Sequence, residues 1–120
     1  MKVLVATEKP FSKVAVDGIQ KIVEGAGYTF AKLEKYSSPA ELLAAVADAD
    51  ALIVRSDKVT KEVVDAAKNL KIVVRAGAGY DNLDLAACSE RGIVAMDTPG
   101  QNSNAVAEVA LCMMVYISGN

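Results

Sequence analysis

Apolar residues fall into two patterns along this chain, and the alternation between them predicts its architecture. Four short runs, at 3–6, 51–54, 72–74 and 93–96, are continuous rather than alternating, as expected of parallel strands buried on both faces. Between the runs, apolar positions repeat at helical spacing. Phe11, Val14, Ala15, Ile19, Ile22 and Val23 predict a first helix that Gly25 and Gly27 end. Ser38, Pro39 and Glu41 place a hydroxyl at a cap, proline at the first helical position and a carboxylate at the third. A second helix therefore starts at Ser38 and carries Leu42, Leu43 and Val46. Thr60 caps a third helix with Val63, Val64 and Ala67, and Asp84 a fourth that Gly92 ends. Ser103 or Asn104 caps a last helix running through Val106, Ala110 and Met113. The stretch 28–33 mixes Thr29 and Lys32 with Phe30 and Leu33, predicting a strand with one edge or face near solvent.

Five strands alternating with helices in 120 residues predict an α/β fold, a doubly wound parallel sheet in three layers. Right-handed crossovers leave the flavodoxin-like order 2-1-3-4-5 as the expected topology. No internal repeat or low-complexity segment interrupts the pattern. The polar stretch 97–104 reads as a hinge, with a domain of residues 1–100 before it and a helix of 101–120 leading elsewhere.

Composition narrows the function. Thirteen basic against fifteen acidic side chains give a net charge of −2, without the basic footprint of a nucleic-acid binder. The N-terminal apolar run is too short for a signal peptide, and no stretch approaches the roughly 18–20 apolar residues that span a bilayer, so a cytoplasmic location is expected. Cys88 and Cys112 lack metal-ligand spacing and are expected to be buried, reduced thiols. The chain has no histidine, the side chain best suited to proton transfer near neutral pH.

Ligands of open parallel sheets gather beyond the carboxyl ends of the strands. After the third strand comes Arg55-Ser56-Asp57-Lys58, two cations and a hydroxyl suited to a carboxylate or phosphate. The same tetrapeptide also reads as a solvated loop with an Arg55–Asp57 contact. After the fourth strand comes Arg75-Ala76-Gly77-Ala78-Gly79, whose glycines let a ligand approach backbone N–H groups or simply punctuate a turn. This is not the dinucleotide fingerprint. Counted from Gly77, the sixth position is Asn82, and the loop follows the fourth strand rather than the first.

VRSDKVT at 54–60, RAGAGYDNLDL at 75–85 and RGIVAMDTPGQNSNAVAE at 91–108 strongly resemble the D-2-hydroxyacid dehydrogenases, above all the branch acting on 3-phosphoglycerate. That resemblance implies the N-terminal substrate-binding domain of a two-domain oxidoreductase, plus the first helix that crosses into an NAD-binding domain. It further implies that Arg55, Ser56, Arg75 and the backbone of Ala76, Gly77, Ala78 and Gly79 hold the substrate's carboxylate and phosphate. Asn102 would line the interdomain cleft, and Ala78 and Asn102 would face the cofactor. The family's dinucleotide loop and its catalytic arginine, glutamate and histidine correspond to sequence after residue 120. NAD is thus expected in the intact parent protein, with no cofactor on this piece, which is expected to be inactive alone. Ala78 stands where some relatives have threonine, and Asp97 where asparagine is common.

Other classes fit less well. A phosphoacceptor receiver requires an acidic pair after the first strand, where this chain has Thr7 and Glu8, and an aspartate at the third, where it has Arg55. A flavin module requires a hydroxyl-rich loop and flanking aromatics, where the chain has Thr7-Glu8-Lys9-Pro10 and no tryptophan. A stand-alone small-molecule or effector-binding domain without catalysis, sensing serine for example, is the alternative that survives. The last helix is apolar on more than one face, at Val106, Val109, Leu111, Met114 and Ile117 among others. It is expected to self-associate or swap between chains, or else to close over its own sheet.

Overall fold

The structure, a computed structural model, describes residues 1–8, 13–76, 79, 81–98 and 103–118. Strands and helices alternate as β1 (Lys2–Thr7), α1 (Lys13–Gly25), β2 (Thr29–Glu34), α2 (Pro39–Val46), β3 (Ala51–Val54), α3 (Lys61–Ala66), β4 (Ile72–Arg75), α4 (Leu85–Glu90), β5 (Val94–Asp97) and α5 (Ser103–Ser118). The five strands form one parallel sheet in the order β2-β1-β3-β4-β5, the predicted topology.

The apolar runs explain the centre of the sheet. Every residue of β3 is buried, and successive side chains feed opposite faces. Leu52 and Val54 join Leu4, Ala6 and Val73 under α2, α3 and α4. Ala51 and Ile53 join Val3, Val5, Ile72 and Val74 under α1 and α5. Both faces of the sheet are thus covered, which is why the central strands read as unbroken apolar runs. β2, at one edge, leaves Thr29 and Lys32 exposed and its other residues half-buried, as expected. β5 is half-buried along its whole length because it closes the opposite edge, so the run at 93–96 is not a fully enclosed strand.

Three helices start directly after the predicted cap positions Ser38, Thr60 and Asp84. Thr60 Oγ1 accepts from the Val63 N–H at 3.4 Å and Asp84 Oδ1 from the Ala87 N–H at 3.0 Å. The Glu41 carboxylate reaches back to the N–H groups of Ser37 and Ser38, at 2.7 and 3.1 Å. Two further expectations fail. Val14 is 83% exposed, since α1 buries Val16, Ile19 and Val23; at 100° per residue Val14 lies about 200° from Val16, on the far side of the helix. Cys112 is exposed, whereas Cys88 is buried as expected, because α5 turns Val106, Ala107 and Ala110 inward and Cys112 away from the sheet. α5 therefore packs on its own sheet beside α1. Much of the predicted hinge, 99–102, lies outside the described residues.

Candidate functional site

Register brings the chemistry to one edge. Val54, Arg75 and Asp97 are partners across β3, β4 and β5, so the segments following these strands leave the sheet side by side. Arg55 is exposed and Arg75 half-buried. Arg75 Nε donates to the Arg55 carbonyl at 3.1 Å, laying one guanidinium across the backbone that carries the other. Asn82 reinforces this junction, its Nδ2 donating to the carbonyls of Arg55 and Asp57 at 3.2 and 2.6 Å. A short parallel bridge pairs Val59 with Leu83, through Val59 N–H to Asn82 O at 2.8 Å and Asp84 N–H to Val59 O at 2.9 Å. The loops after β3 and β4 are therefore stitched together, with two arginines on adjacent strand ends. With the Arg75 guanidinium held there and Arg55 on the neighbouring strand end, the edge favours an anion.

Asp57 organises the other side of the edge. It is only 6% exposed although Ser56 and Lys58 beside it face solvent. Its carboxylate accepts from Tyr36 Oη at 2.5 Å, from the Glu8 N–H at 2.7 Å and from the Arg55 N–H at 3.4 Å. The sequence-level alternative of an Arg55–Asp57 contact is thus present through the backbone amide of Arg55. Burial, the bond to Asp57 and the negative charges of Asp57 and Glu8 together push the Tyr36 phenol well above its ordinary range. Tyr36, Asp57, Ser56, Lys58 and Glu8 line a cavity of about 330 Å³ floored by Pro39, Leu42 and Val63. Tyr36 and Asn82 were not singled out as site residues from sequence. The only signals were an aromatic directly beyond an edge strand and an asparagine where a dinucleotide loop needs glycine.

The glycine loop is partly described. Gly79 has φ +93°, a conformation that favours glycine. Its N–H donates to Asp97 Oδ2 at 2.8 Å. The Ala76 N–H donates to the Val54 carbonyl at 2.8 Å, and Ala76 is half-buried. Both described amides of the loop are thus engaged within the protein. Gly77, Ala78 and Asn102, the remaining predicted contacts, lie outside the described residues. The Gly79 amide is already taken by the Asp97 carboxylate, whose negative charge opposes that of a phosphate at this amide. No group of His, Cys, Asp and Glu suited to a metal ion occurs among the described residues, and none of their helices is long and apolar enough to cross a membrane.

The doubly wound parallel sheet, with two arginines beyond adjacent strand ends, is an α/β domain of the kind whose ligands gather at that edge. Residues 4–114 match the family model described as D-isomer specific 2-hydroxyacid dehydrogenase, catalytic domain, and the chain belongs to that family. It is 42% identical over 116 residues to D-3-phosphoglycerate dehydrogenase of Archaeoglobus fulgidus, a match covering 96% of this chain and 21% of that protein. It is 45% identical over 76 residues to hydroxypyruvate reductase of Thermotoga maritima, covering 62% of this chain and 25% of the relative. The crystal structure of cofactor (NAD+) bound 3-phosphoglycerate dehydrogenase of Entamoeba histolytica superposes with a TM-score of 0.82 at 50% identity, covering 97% of this chain and 38% of that one. The chain thus spans about a fifth of the length of the archaeal relative, at 21%.

Proposed function

We propose that this chain is the substrate-binding part of an NAD-dependent D-3-phosphoglycerate dehydrogenase, in which NAD accepts a hydride from C2 of 3-phosphoglycerate at the head of serine synthesis in the cytoplasm. The observation that carries this reading is the placement of Arg55 and Arg75 on adjacent strand ends, with the Arg75 side chain held by the Arg55 carbonyl. Arg55, Ser56 and Arg75 hold the anionic ends of the substrate, with Gly77, Ala78 and Asn102 assigned to the same cleft. Residues 1–100 form the binding unit and 101–120 lead to the cofactor-binding part. The resemblance and the share of each relative covered support placing the hydride-transfer machinery outside these 120 residues. The piece alone positions substrate without turning it over. Holding the reacting carbon in place is worth up to roughly 7–11 kcal/mol, realised only when the second domain closes.

An amide-resolved NMR titration with 3-phosphoglycerate, glycerate and L-serine tests the reading. 3-Phosphoglycerate is expected to move the resonances of Arg55, Ser56 and Arg75 with weak affinity, and Arg55→Ala to abolish the response. A response to L-serine alone would favour the stand-alone effector domain instead. The outward side of α5, where Val115 is 58% exposed, is the surface we assign to self-association or a further domain. Sedimentation showing only monomer at high concentration would remove the first of these.

A further inference from the structure

A buried carboxylate is costly unless donors surround it, and Asp57, buried between exposed neighbours, is held by such donors. Its three donors come from three different strand ends. Glu8 follows β1, Tyr36 follows β2 and Arg55 follows β3. β2 and β3 are not neighbours in the sheet, since β1 lies between them. The bond from Tyr36 therefore spans the end of β1, and one carboxylate gathers the ends of three adjacent strands. The main chain of the same residue extends the link to a fourth, because the Asp57 carbonyl accepts from Asn82 in the segment after β4.

We propose that Asp57 is the positioning residue of this site, setting the backbone at Arg55 and Ser56 so that both meet an anionic hydroxy acid in the right orientation. The proposal deepens, and rests on, the substrate reading above. Asp57 itself does not serve as a ligand contact. Its oxygens are already engaged by three donors, and its charge opposes that of the substrate. Tyr36 acts through Asp57, as the donor that fixes the carboxylate from the edge strand. Geometry of this kind matters because a binding group held loosely by its supporting shell loses much of its affinity.

The test compares Tyr36→Phe, Asp57→Asn and Asp57→Ala in the 120-residue chain, with amide NMR in the absence and presence of 3-phosphoglycerate and thermal unfolding recorded alongside. In Tyr36→Phe the fold is expected to persist while the resonances of Arg55 and Ser56 move without ligand, and 3-phosphoglycerate binds roughly three- to tenfold more weakly, as for one lost hydrogen bond. Asp57→Asn, which keeps an acceptor, is expected to fall between wild type and Asp57→Ala. Unchanged Arg55 and Ser56 resonances in both Tyr36→Phe and Asp57→Asn would overturn the proposal. So would wild-type affinity in these variants, or a loss that merely follows the unfolded fraction. If wild-type protein shows no response to 3-phosphoglycerate, the substrate reading fails, while the ligand-free resonances still decide whether Asp57 positions the loop. If Asp57→Ala does not fold, the two milder variants carry the decision.

Discussion

The Gly79 N–H donates to Asp97 Oδ2 at 2.8 Å, which ties the loop after β4 to the end of β5 by a charged acceptor. An anion arriving at this loop meets a negative charge already in place. Asp97→Asn retains an oxygen that can accept the same bond and removes the charge. We expect it to tighten binding of 3-phosphoglycerate or inorganic phosphate roughly three- to tenfold, corresponding to about 1 kcal/mol, the repulsion of two unit charges about 4 Å apart when fully screened by water. Titration of wild type and Asp97→Asn at low and high salt checks this, since the difference should shrink as salt screens it.

The two apolar residues of α1 that the spacing treated alike should separate in a stability measurement. Ile19 is fully buried between α5 and the sheet, so Ile19→Ala is expected to cost about 2–5 kcal/mol. Val14 is 83% exposed, so Val14→Lys should stay within about 0.5 kcal/mol of wild type. Urea denaturation of both variants decides, and equal losses would mean that α1 is rotated from the orientation described.

That contrast marks where sequence was informative. The central strands were legible because β1, β3 and β4 are buried on both faces, which leaves no polar residue to break the run. Helix starts were legible because Ser38, Thr60 and Asp84 announce them chemically. The arginines of the site could be placed because strand ends define the ligand edge. What periodicity could not give was the rotation of α1 or the outward turn of Cys112 on α5, since both helices carry apolar residues on more than one side. Nor could it find the Tyr36–Asp57 bond, which joins residues brought together only by the sheet order. The same holds for Asn82, whose amide bridges two loops in space.

Glu41 gives the fold a defined acid sensitivity. Its carboxyl lies below the ordinary value of 4.5, chiefly because the backbone N–H groups of Ser37 and then Ser38 donate to the ionised form. A lowered native value stabilises the fold above the unfolded value and loses that contribution as pH falls through the native one. Wild type is therefore expected to be more stable than Glu41→Gln at pH 7, with the gap beginning to close below about pH 4.5 and vanishing at lower pH. Denaturation series across this window check it, and a pH-independent gap would assign the loss to packing.

The two thiols should react at very different rates. Cys112 is exposed and Cys88 buried. Burial, followed by the charge of Asp84, raises the Cys88 thiol, with Arg91 acting in the opposite sense. Because the thiolate is the reactive form, native protein at pH 7.5 treated with iodoacetamide should label Cys112 first. Mass spectrometry of the digested product identifies the site. Equal labelling of both residues in the folded state would contradict the packing of α4 against the sheet.

Gly79 offers the sharpest test of the ligand edge as built. Its φ of +93° disfavours any side chain, and a Cβ there would stand 3.3 Å from both Arg75 Nη1 and Asp81 Oδ1. Gly79→Ala is therefore expected to lose about 1–2 kcal/mol of stability from the backbone alone. It should also displace the Arg75 guanidinium and weaken binding of 3-phosphoglycerate. Gly25, at the end of α1, has no positive φ and nothing within 4 Å of its would-be Cβ. Gly25→Ala should therefore leave binding unchanged and raise stability by up to about 1 kcal/mol through the unfolded chain. If both alanine variants bind 3-phosphoglycerate as wild type does, Arg75 is not held by the loop in the way that directs it toward an anion.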